Sequence, residues 1–220
     1  MFCEKPLWWP EKNISTLKDI ADLTRKTTEL VKQCNSKELV LQLNTQWPYT
    51  LPTYFALHPQ ENNFTQFAMW LAPQSTGGTM IVDTISHLLS MLYTLVGSGK
   101  INNINSNFHQ LQSGQDLLIE FEFLHARGDM PVSITLSSSD AFPKPAAYAV
   151  NGLRVDRHVE LPNYLISLQS RDKKVPMIDP LESSIKNFIS SIHSKATSDE
   201  VALIDGTTHL AEIYLAVTQQ

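Results

Sequence analysis

Asp83 and His87 lie four residues apart in a segment whose apolar residues recur at helical spacing. On a helix their side chains would share one face, one turn apart. A carboxylate beside an imidazole raises its basicity and fixes its orientation, which suits a general base near neutral pH. Because this spacing also arises often by chance, the pair alone indicates a candidate catalytic base and nothing more specific.

Other side chains could also do chemistry. His209 and Glu212 lie three residues apart and could ligate a metal. No second carboxylate or histidine stands at ligand spacing nearby, so we predict no metal site. Cys3 is better explained as a buried thiol at the end of a strand than as a reactive one. The tryptophans could stack on a sugar or a base, although burial in a core or an interface is their more ordinary use. They are Trp8, Trp9, Trp47 and Trp70.

The composition argues against a protein that binds nucleic acid, spans a membrane or is secreted. The chain has 220 residues, of which 42% are hydrophobic and 18% charged, and its net charge is −5. This acidic balance gives no electrostatic reason to bind nucleic acid or an anionic membrane. Two cysteines make no disulfide framework, and the N-terminus carries no apolar signal core. The apolar stretch 80–96 is short for a membrane span and contains Asp83 and His87. We therefore predict a cytoplasmic protein.

The first part of the chain reads as a helix followed by a strand. Apolar residues on one face predict a helix over 16–34, and Thr16 with Asp19 forms a potential capping box. Residues 38–43 are nearly continuous in apolar side chains, which suits a strand buried on both faces of a parallel sheet.

The rest of the chain is mostly strand, with helices among and after the strands. Strict alternation of apolar and polar residues predicts a hairpin over 117–136, with its turn at 126–129. The fold class we predict is α+β, a mainly antiparallel open sheet covered on one face by helices. The remaining predicted strands are 67–71, 148–151, 153–159 and 164–168, and the remaining predicted helices are 79–96, 181–193 and 201–217.

Three motifs, in order, carry a resemblance to a known family. The sequence Phe2-Cys3-Glu4-Lys5-Pro6-Leu7 resembles a strand entering a Glu-Lys-Pro turn. Residues 77–89 resemble a glycine-rich turn with an Asp-x-x-x-His helix, and Gly97 resembles the glycine that ends it. The tail from Asp179 to Gly206 is also similar. Together these features resemble the glucose–fructose oxidoreductase, inositol dehydrogenase and rhizopine-catabolism family (Gfo/Idh/MocA), along essentially the whole chain.

The resemblance implies roles for particular side chains. Lys5 would hold the substrate hydroxyl and the edge of the nicotinamide. His87 would remove the hydroxyl proton, and Asp83 would orient the imidazole or share its charge. The turn of Glu4, Lys5 and Pro6 would contact the cofactor, NAD or NADP.

The resemblance also implies a substrate-binding segment after the second strand. It would contain Asn44, Gln46 and Trp47. Members of the family commonly carry an arginine near this segment, where this chain has Gln46. The departure leaves open whether an anionic or polyol group is contacted there.

One expected motif is missing from these 220 residues. The family binds its dinucleotide with a Gly-x-Gly-x-x-Gly turn after a strand. The sequence has eight glycines and no such turn, and Gly97-Ser98-Gly99 follows a predicted helix. We therefore interpret residues 1–46 as a helix–strand remnant of a dinucleotide-binding domain, and 47–220 as a substrate-binding and oligomerisation domain. NAD or NADP is not expected to bind tightly to this chain alone.

Two functions remain open at this stage. The chain could be the catalytic and oligomerisation half of an NAD(P)-dependent oxidoreductase acting on a sugar, polyol or related hydroxy compound, inactive alone. It could instead be a non-enzymatic module for dimerisation or partner binding. The partners we expect are a second copy paired through the open sheet face and a small-molecule substrate, and for the oxidoreductase function a separate nucleotide-binding chain.

Overall fold

Two sheets of very different size organise the chain. In the computed structural model the described residues are 1–10, 12–59, 63–111 and 114–219. The smaller sheet has two parallel strands, β1 (Phe2–Cys3) and β2 (Gln42–Leu43), joined through helix α1 (Leu17–Ser36). Thr16 and Asp19 form the predicted capping box, each side chain accepting from the other residue's backbone N–H.

The second strand of this unit is shorter than predicted. Residues 38–43 were expected to be one buried strand, but only the last two pair with β1. The N–H of Leu41 bonds to the hydroxyl of Ser198 at 3.0 Å, so a side chain takes the place of a neighbouring strand. Glu38 has φ 54°, which turns the chain sharply after α1.

The larger sheet has eight strands in the order β10-β9-β8-β7-β3-β6-β5-β4, with β3 and β6 parallel and the other neighbouring pairs antiparallel. The predicted α+β class with a mainly antiparallel open sheet is confirmed. The strands are β3 (Phe67–Leu71), β4 (Gly99–Leu111), β5 (Gly114–His125), β6 (Gly128–Ser137), β7 (Ala146–Val150), β8 (Leu153–Glu160), β9 (Leu165–Ser170) and β10 (Lys173–Met177).

The helices pack on one face of this sheet. Along β5 the inward side chains from Leu117 to Phe123 are at most 3% exposed, and the alternate ones reach solvent. The predicted hairpin is thus confirmed as β5 and β6. The helices are α2 (Leu51–Leu57, after a 3-10 turn at Trp47–Thr50), α3 (Gly78–Val96), α4 (Pro180–His193) and α5 (Gly206–Thr218, after a π-helical turn at Val201–Asp205).

Two strands lie outside the sequence prediction, β4 and β10. β4 is an edge strand in which asparagines recur without apolar alternation, and its register shifts between Asn102 and Asn105. An edge strand buries little on either face, so its sequence needs no period of two. β10, at the other edge, contains Pro176, a residue that edge strands tolerate.

Helix α3 is the most apolar helix of the structure. By length and composition it could cross a membrane, with a mean hydropathy of 1.4 over its best window. Two thirds of that window, 67%, is buried inside the fold, as in the core helix of a soluble protein, so one such helix is weak evidence for a span. Helix α3 begins after Gly77 and ends at Gly97, both with positive φ, as the sequence predicts.

Candidate active site

Lys5 and helix α3 meet although 78 residues separate them in sequence. Lys5 follows β1, and its Nζ donates a hydrogen bond to the main-chain carbonyl of Asp83 in the second turn of α3. The parallel pairing of β1 with β2 directs the end of β1 toward this turn. Two of the motifs recognised in the sequence are therefore in contact.

The carboxylate of Asp83 has a partner that the sequence did not suggest. Ser75, in the loop between β3 and α3, donates its hydroxyl proton to Oδ2 of Asp83 at 2.5 Å. We expected Asp83 to orient His87, but its hydrogen bond goes to Ser75. Nothing in the sequence marks Ser75, because a loop serine eight residues before the helical pair has no characteristic spacing.

His87 is partly exposed, yet its Nδ1 is fully buried and has no hydrogen-bond partner. Burial, with the positive charges of Lys5 and Arg157, lowers the pKa of His87 to about 3. The expectation that a neighbouring carboxylate would raise its basicity is therefore wrong for this structure, since burial and two cations lower the pKa and the carboxylate of Asp83 is hydrogen-bonded to Ser75. The ring is neutral at pH 7, and in this state it is a weaker base than an ordinary histidine.

Trp47 connects His87 to the sheet. It opens the 3-10 turn after β2 and is only 4% exposed. Its ring meets that of His87 at 6.4 Å between centroids, at an interplanar angle of 68°. On its other side it meets the ring of Tyr148 on β7 at 6.1 Å. The hydroxyl of Tyr148 shares a 2.8 Å hydrogen bond with Thr50, which holds the turn against the sheet.

Arg157 completes this cluster and was missed by the sequence analysis. It lies on β8 with its Cζ 5.3 Å from the centroid of the Trp47 ring. Arg157 comes two residues after Val155 and therefore lies on the same face of β8. Because Val155 is fully buried, the arginine points to the helix-covered face of the sheet. A charged residue at an inward position of an alternating strand is the signal that could have found it.

A cavity of about 330 Å³ lies beside Trp47 and Arg157. This volume suits a small polar molecule of sugar size. The rest of its wall comes from Gln46, Thr50, Tyr164, Ile166, Asp179, Pro180 and Leu181. Of the three residues predicted to bind substrate, Gln46 and Trp47 thus line one cavity.

Asn44, the third predicted substrate residue, instead supports the Glu4-Lys5-Pro6 turn. Its Nδ2 donates to the carboxylate of Glu4 at 2.6 Å, and its N–H donates to the carbonyl of Cys3 at 2.7 Å. Its Oδ1 is buried without a partner. Pro6, joined to Lys5 by a cis peptide bond, lines a second cavity of about 450 Å³ between β2, α3 and α4. None of Lys5, Asp83 and His87 lines either of these two cavities, and His87 reaches the first through its contact with Trp47.

The glycine pairs do not form a cradle for a dinucleotide. A Cβ atom on Gly78 would lie 3.0 Å from the ring of Tyr214, so the close approach there is already taken by a side chain. A Cβ atom on Gly99 would lie 2.6 Å from the carbonyl of Leu124, within the β4–β5 pair. Gly78 and Gly99 therefore serve internal packing and do not fit the pyrophosphate of NAD or NADP, whereas Gly77 and Gly97 have open space at the Cβ position and end α3 with positive φ.

The chain resembles known proteins in its fold rather than in its sequence. No known family profile and no curated protein matches the sequence. Among solved structures, UDP-N-acetylglucosamine 3-dehydrogenase from Acidithiobacillus ferrooxidans matches with a TM-score of 0.62 at 14% identity, over 98% of this chain and 69% of that one. Levoglucosan dehydrogenase in complex with NADH matches with a TM-score of 0.58 at 12% identity, over 99% of this chain and 70% of that one.

A third match is an oxidoreductase from Agrobacterium radiobacter in complex with NAD⁺, L-tartaric acid and magnesium, with a TM-score of 0.58 at 11% identity, over 100% of this chain and 71% of that one. This chain has the fold of the C-terminal part of Gfo/Idh/MocA-type dehydrogenases. It spans about 70% of the length of the proteins it matches.

Proposed function

We propose that this chain is the substrate-binding and catalytic half of an NAD(P)-dependent oxidoreductase that acts on a sugar, a polyol or a related hydroxy compound. The observation that carries the proposal is the meeting of Lys5 with α3 one turn from His87, whose ring packs against Trp47 at the wall of a sugar-sized cavity. Oxidation of a hydroxyl needs a base for its proton, and a neutral imidazole supplies one.

Each of these side chains has a definite task in this chemistry. The ammonium of Lys5 binds the substrate oxygen and stabilises the negative charge that develops as its proton leaves. His87 accepts that proton on its neutral ring. Asp83, held by Ser75, fixes the turn of α3 whose carbonyl binds Lys5. The described residues offer no pyrophosphate cradle, so another polypeptide would hold the nucleotide part of the cofactor, and its nicotinamide would accept the hydride beside Lys5.

A nucleotide-binding half would find a suitable surface on this chain. Among the described residues, β1 pairs only with β2, so its other edge is open. Helix α4 contacts β1 through Phe188 and Phe2, whose rings lie 5.3 Å apart. Its apolar stripe is between 37% and 48% exposed and consists of Leu181, Ile185, Ile189 and Ile192. This surface would equally suit another partner if the chain is a non-enzymatic binding module.

Assembly through the open sheet face is a second part of the proposal. Trp70 and Thr135 are neighbours in the sheet, on the face away from the helices, and Trp70 is only partly buried. A second copy of the chain would cover this face. Light scattering at micromolar concentration should give about twice 24.8 kDa, and Thr135→Lys should give the monomer mass with an unchanged melting temperature. A monomer in the unmutated protein would contradict this arrangement.

The catalytic proposal is tested in two steps. Calorimetric titration of the pure chain with NADH or NADPH should detect no micromolar binding. The chain is then co-expressed with the polypeptide encoded immediately upstream of Met1, and NAD(P)H formation is assayed with a panel of sugars and polyols.

The variants decide between the two functions. Lys5→Ala and His87→Asn should each lower kcat at least a hundredfold, because each removes a group in contact with the reacting hydroxyl. The matched control is His109→Asn, at an exposed histidine of the edge strand β4, away from the surface of α4, and it should leave the rate unchanged. Activity that survives both site variants would contradict the roles given to Lys5 and His87, whereas no activity with any upstream partner would favour the binding module.

A further inference from the structure

Arg157 is a partly buried guanidinium at the cavity wall without a carboxylate partner. We propose that it forms an anion subsite and that the substrate carries a carboxylate or a phosphate beside its reacting hydroxyl, as in a sugar acid or a sugar phosphate. This inference rests on the proposed function and names the substrate class of the same site. It also answers the question that Gln46 left open, because a basic residue reaches the site from a different element.

Few of the hydrogen-bond donors of Arg157 have an acceptor in the protein, which supports the subsite. A guanidinium has five N–H donors. Among the described residues, one nitrogen, Nη2, is paired, with the carbonyl of Lys144 at 2.9 Å. Nε is fully buried and has no acceptor. None of the ion pairs found in the described part of the chain includes Arg157. Protein groups therefore leave most of its binding capacity unused.

Arg154, three residues earlier on the same strand, provides an internal comparison. It too lies over a tryptophan, with its Cζ 4.4 Å from the centroid of the Trp70 ring. It points to the opposite, open face and forms a salt bridge of 2.7 Å with Asp156. Both arginines stack on an indole, and only the exposed one has its own carboxylate. The unpaired one is the arginine that faces a cavity.

The other charges around the cavity are compatible with an anion beside Arg157. Asp179 also lines the cavity, but its Oδ1 accepts the N–H of Leu181 at 2.8 Å as the N-cap of α4. Burial lowers the pKa of Arg157 and is the largest influence on it. Tyr164 and the charge of Asp179 act in the opposite direction and raise that pKa. Asp179 forms no ion pair with Arg157, and burying a guanidinium without a hydrogen-bonded counter-charge is unfavourable, so an entering carboxylate or phosphate gains that partner.

The test measures binding directly and needs no cofactor. The full 220-residue chain is titrated by calorimetry with pairs of compounds that differ in their acidic group. The pairs are D-glucuronate with D-glucose, D-galacturonate with D-galactose, and D-glucose 6-phosphate with D-glucose. At least one acidic member should bind ten times more tightly than its neutral partner, since charge-assisted hydrogen bonds are about twice as strong as neutral ones.

Three variants locate the preference. Arg157→Gln should reduce the affinity for the acid to that of the neutral sugar. Arg157→Lys keeps the charge without the planar fork and should keep part of the preference, which guards against loss of fold in the glutamine variant. Arg154→Gln is the matched control, and it should bind the acid as the unmutated chain does.

The outcomes separate this inference from the proposed function. Equal affinity for acidic and neutral members, or a preference that survives Arg157→Gln, overturns the anion subsite and leaves the oxidoreductase proposal standing. Failure of every compound to bind overturns both. The member of the panel that shows the preference tells a carboxylate from a phosphate.

Discussion

His87 and His209 are two histidines on long helices, each with a buried Nδ1 or ring, and their surroundings differ in one decisive respect. The Nδ1 of His209 on α5 shares a 2.7 Å hydrogen bond with the hydroxyl of Tyr93 on α3. Its ring packs at 6.2 Å against Phe123 on β5, and the residue is 7% exposed. The Nδ1 of His87 has no partner, and burial together with the charges of Lys5 and Arg157 lowers the pKa of the ring.

The difference separates a structural histidine from a functional candidate. Buried polar groups are almost always hydrogen-bonded, because leaving one unpaired costs free energy. His209 follows this rule and joins α5, α3 and the sheet. His87 departs from it beside a cavity that contains a second unpaired polar group, the Nε of Arg157. Local exceptions of this kind are expected where a site awaits a ligand.

The largest expected effect concerns acid stability. Burial lowers the pKa of His209 to about 4, against an ordinary value of 6.5. Between these values the unfolded chain binds a proton that the folded chain does not, so stability falls as the pH falls through this window. His209 should account for a loss of about 3 kcal/mol. Urea denaturation of the unmutated chain and of His209→Asn at pH 7 and pH 4 measures it.

Comparing the unmutated chain with His209→Asn separates the contribution of His209 to the pH dependence of stability from the contributions of the acidic groups nearby. Burial raises the pKa values of Asp205 and Glu212, so protonating these groups favours the folded state as the pH falls. That contribution opposes the one from His209, but it is present in both proteins and cancels in the difference. An equal pH dependence in the two proteins would contradict the assignment.

The second effect is the stability of the same variant at pH 7. His209→Asn shortens the side chain, so the hydroxyl of Tyr93 loses its partner. The free energy of unfolding should fall by about 2 kcal/mol, in the range typical of a stranded buried polar group. Tyr93→Phe should cost a similar amount, and the double variant should cost less than the sum. Strict additivity would show that the hydrogen bond is not the cause.

Helices and strands whose apolar residues recur at a regular spacing could be predicted from the sequence. Thr16 with Asp19 fixed the start of α1, and the glycines 77 and 97 marked the ends of α3. Alternation gave the β5–β6 hairpin. The edge strand β4 and the start of β2 could not be predicted, because their positions depend on strand pairing and on a hydrogen bond that Leu41 donates to Ser198 rather than on local pattern.

The site could be predicted only in part. The sequence motifs led to Lys5, Asp83 and His87, and the structure joins the first of these to α3. Arg157 was missed because long-range packing, not sequence spacing, brings it to Trp47. The pKa of His87 was expected to rise and is lowered instead, since burial depends on how the whole domain packs.

The smallest expected effect is the one that tests the comparison most closely. His87→Asn keeps a polar side chain of similar breadth and removes the basic nitrogen. Because no protein group is hydrogen-bonded to Nδ1, the substitution strands no partner, and the free energy of unfolding at pH 7 should change by less than about 0.5 kcal/mol.

The change is measured by urea denaturation beside the identical substitution at His209, which should cost about four times as much. A loss of 1 to 3 kcal/mol at His87, roughly the cost of a broken buried hydrogen bond, would make it a structural histidine and favour the non-enzymatic module. An unchanged stability leaves the ring free for the proton transfer that Lys5 and the cavity beside Trp47 support.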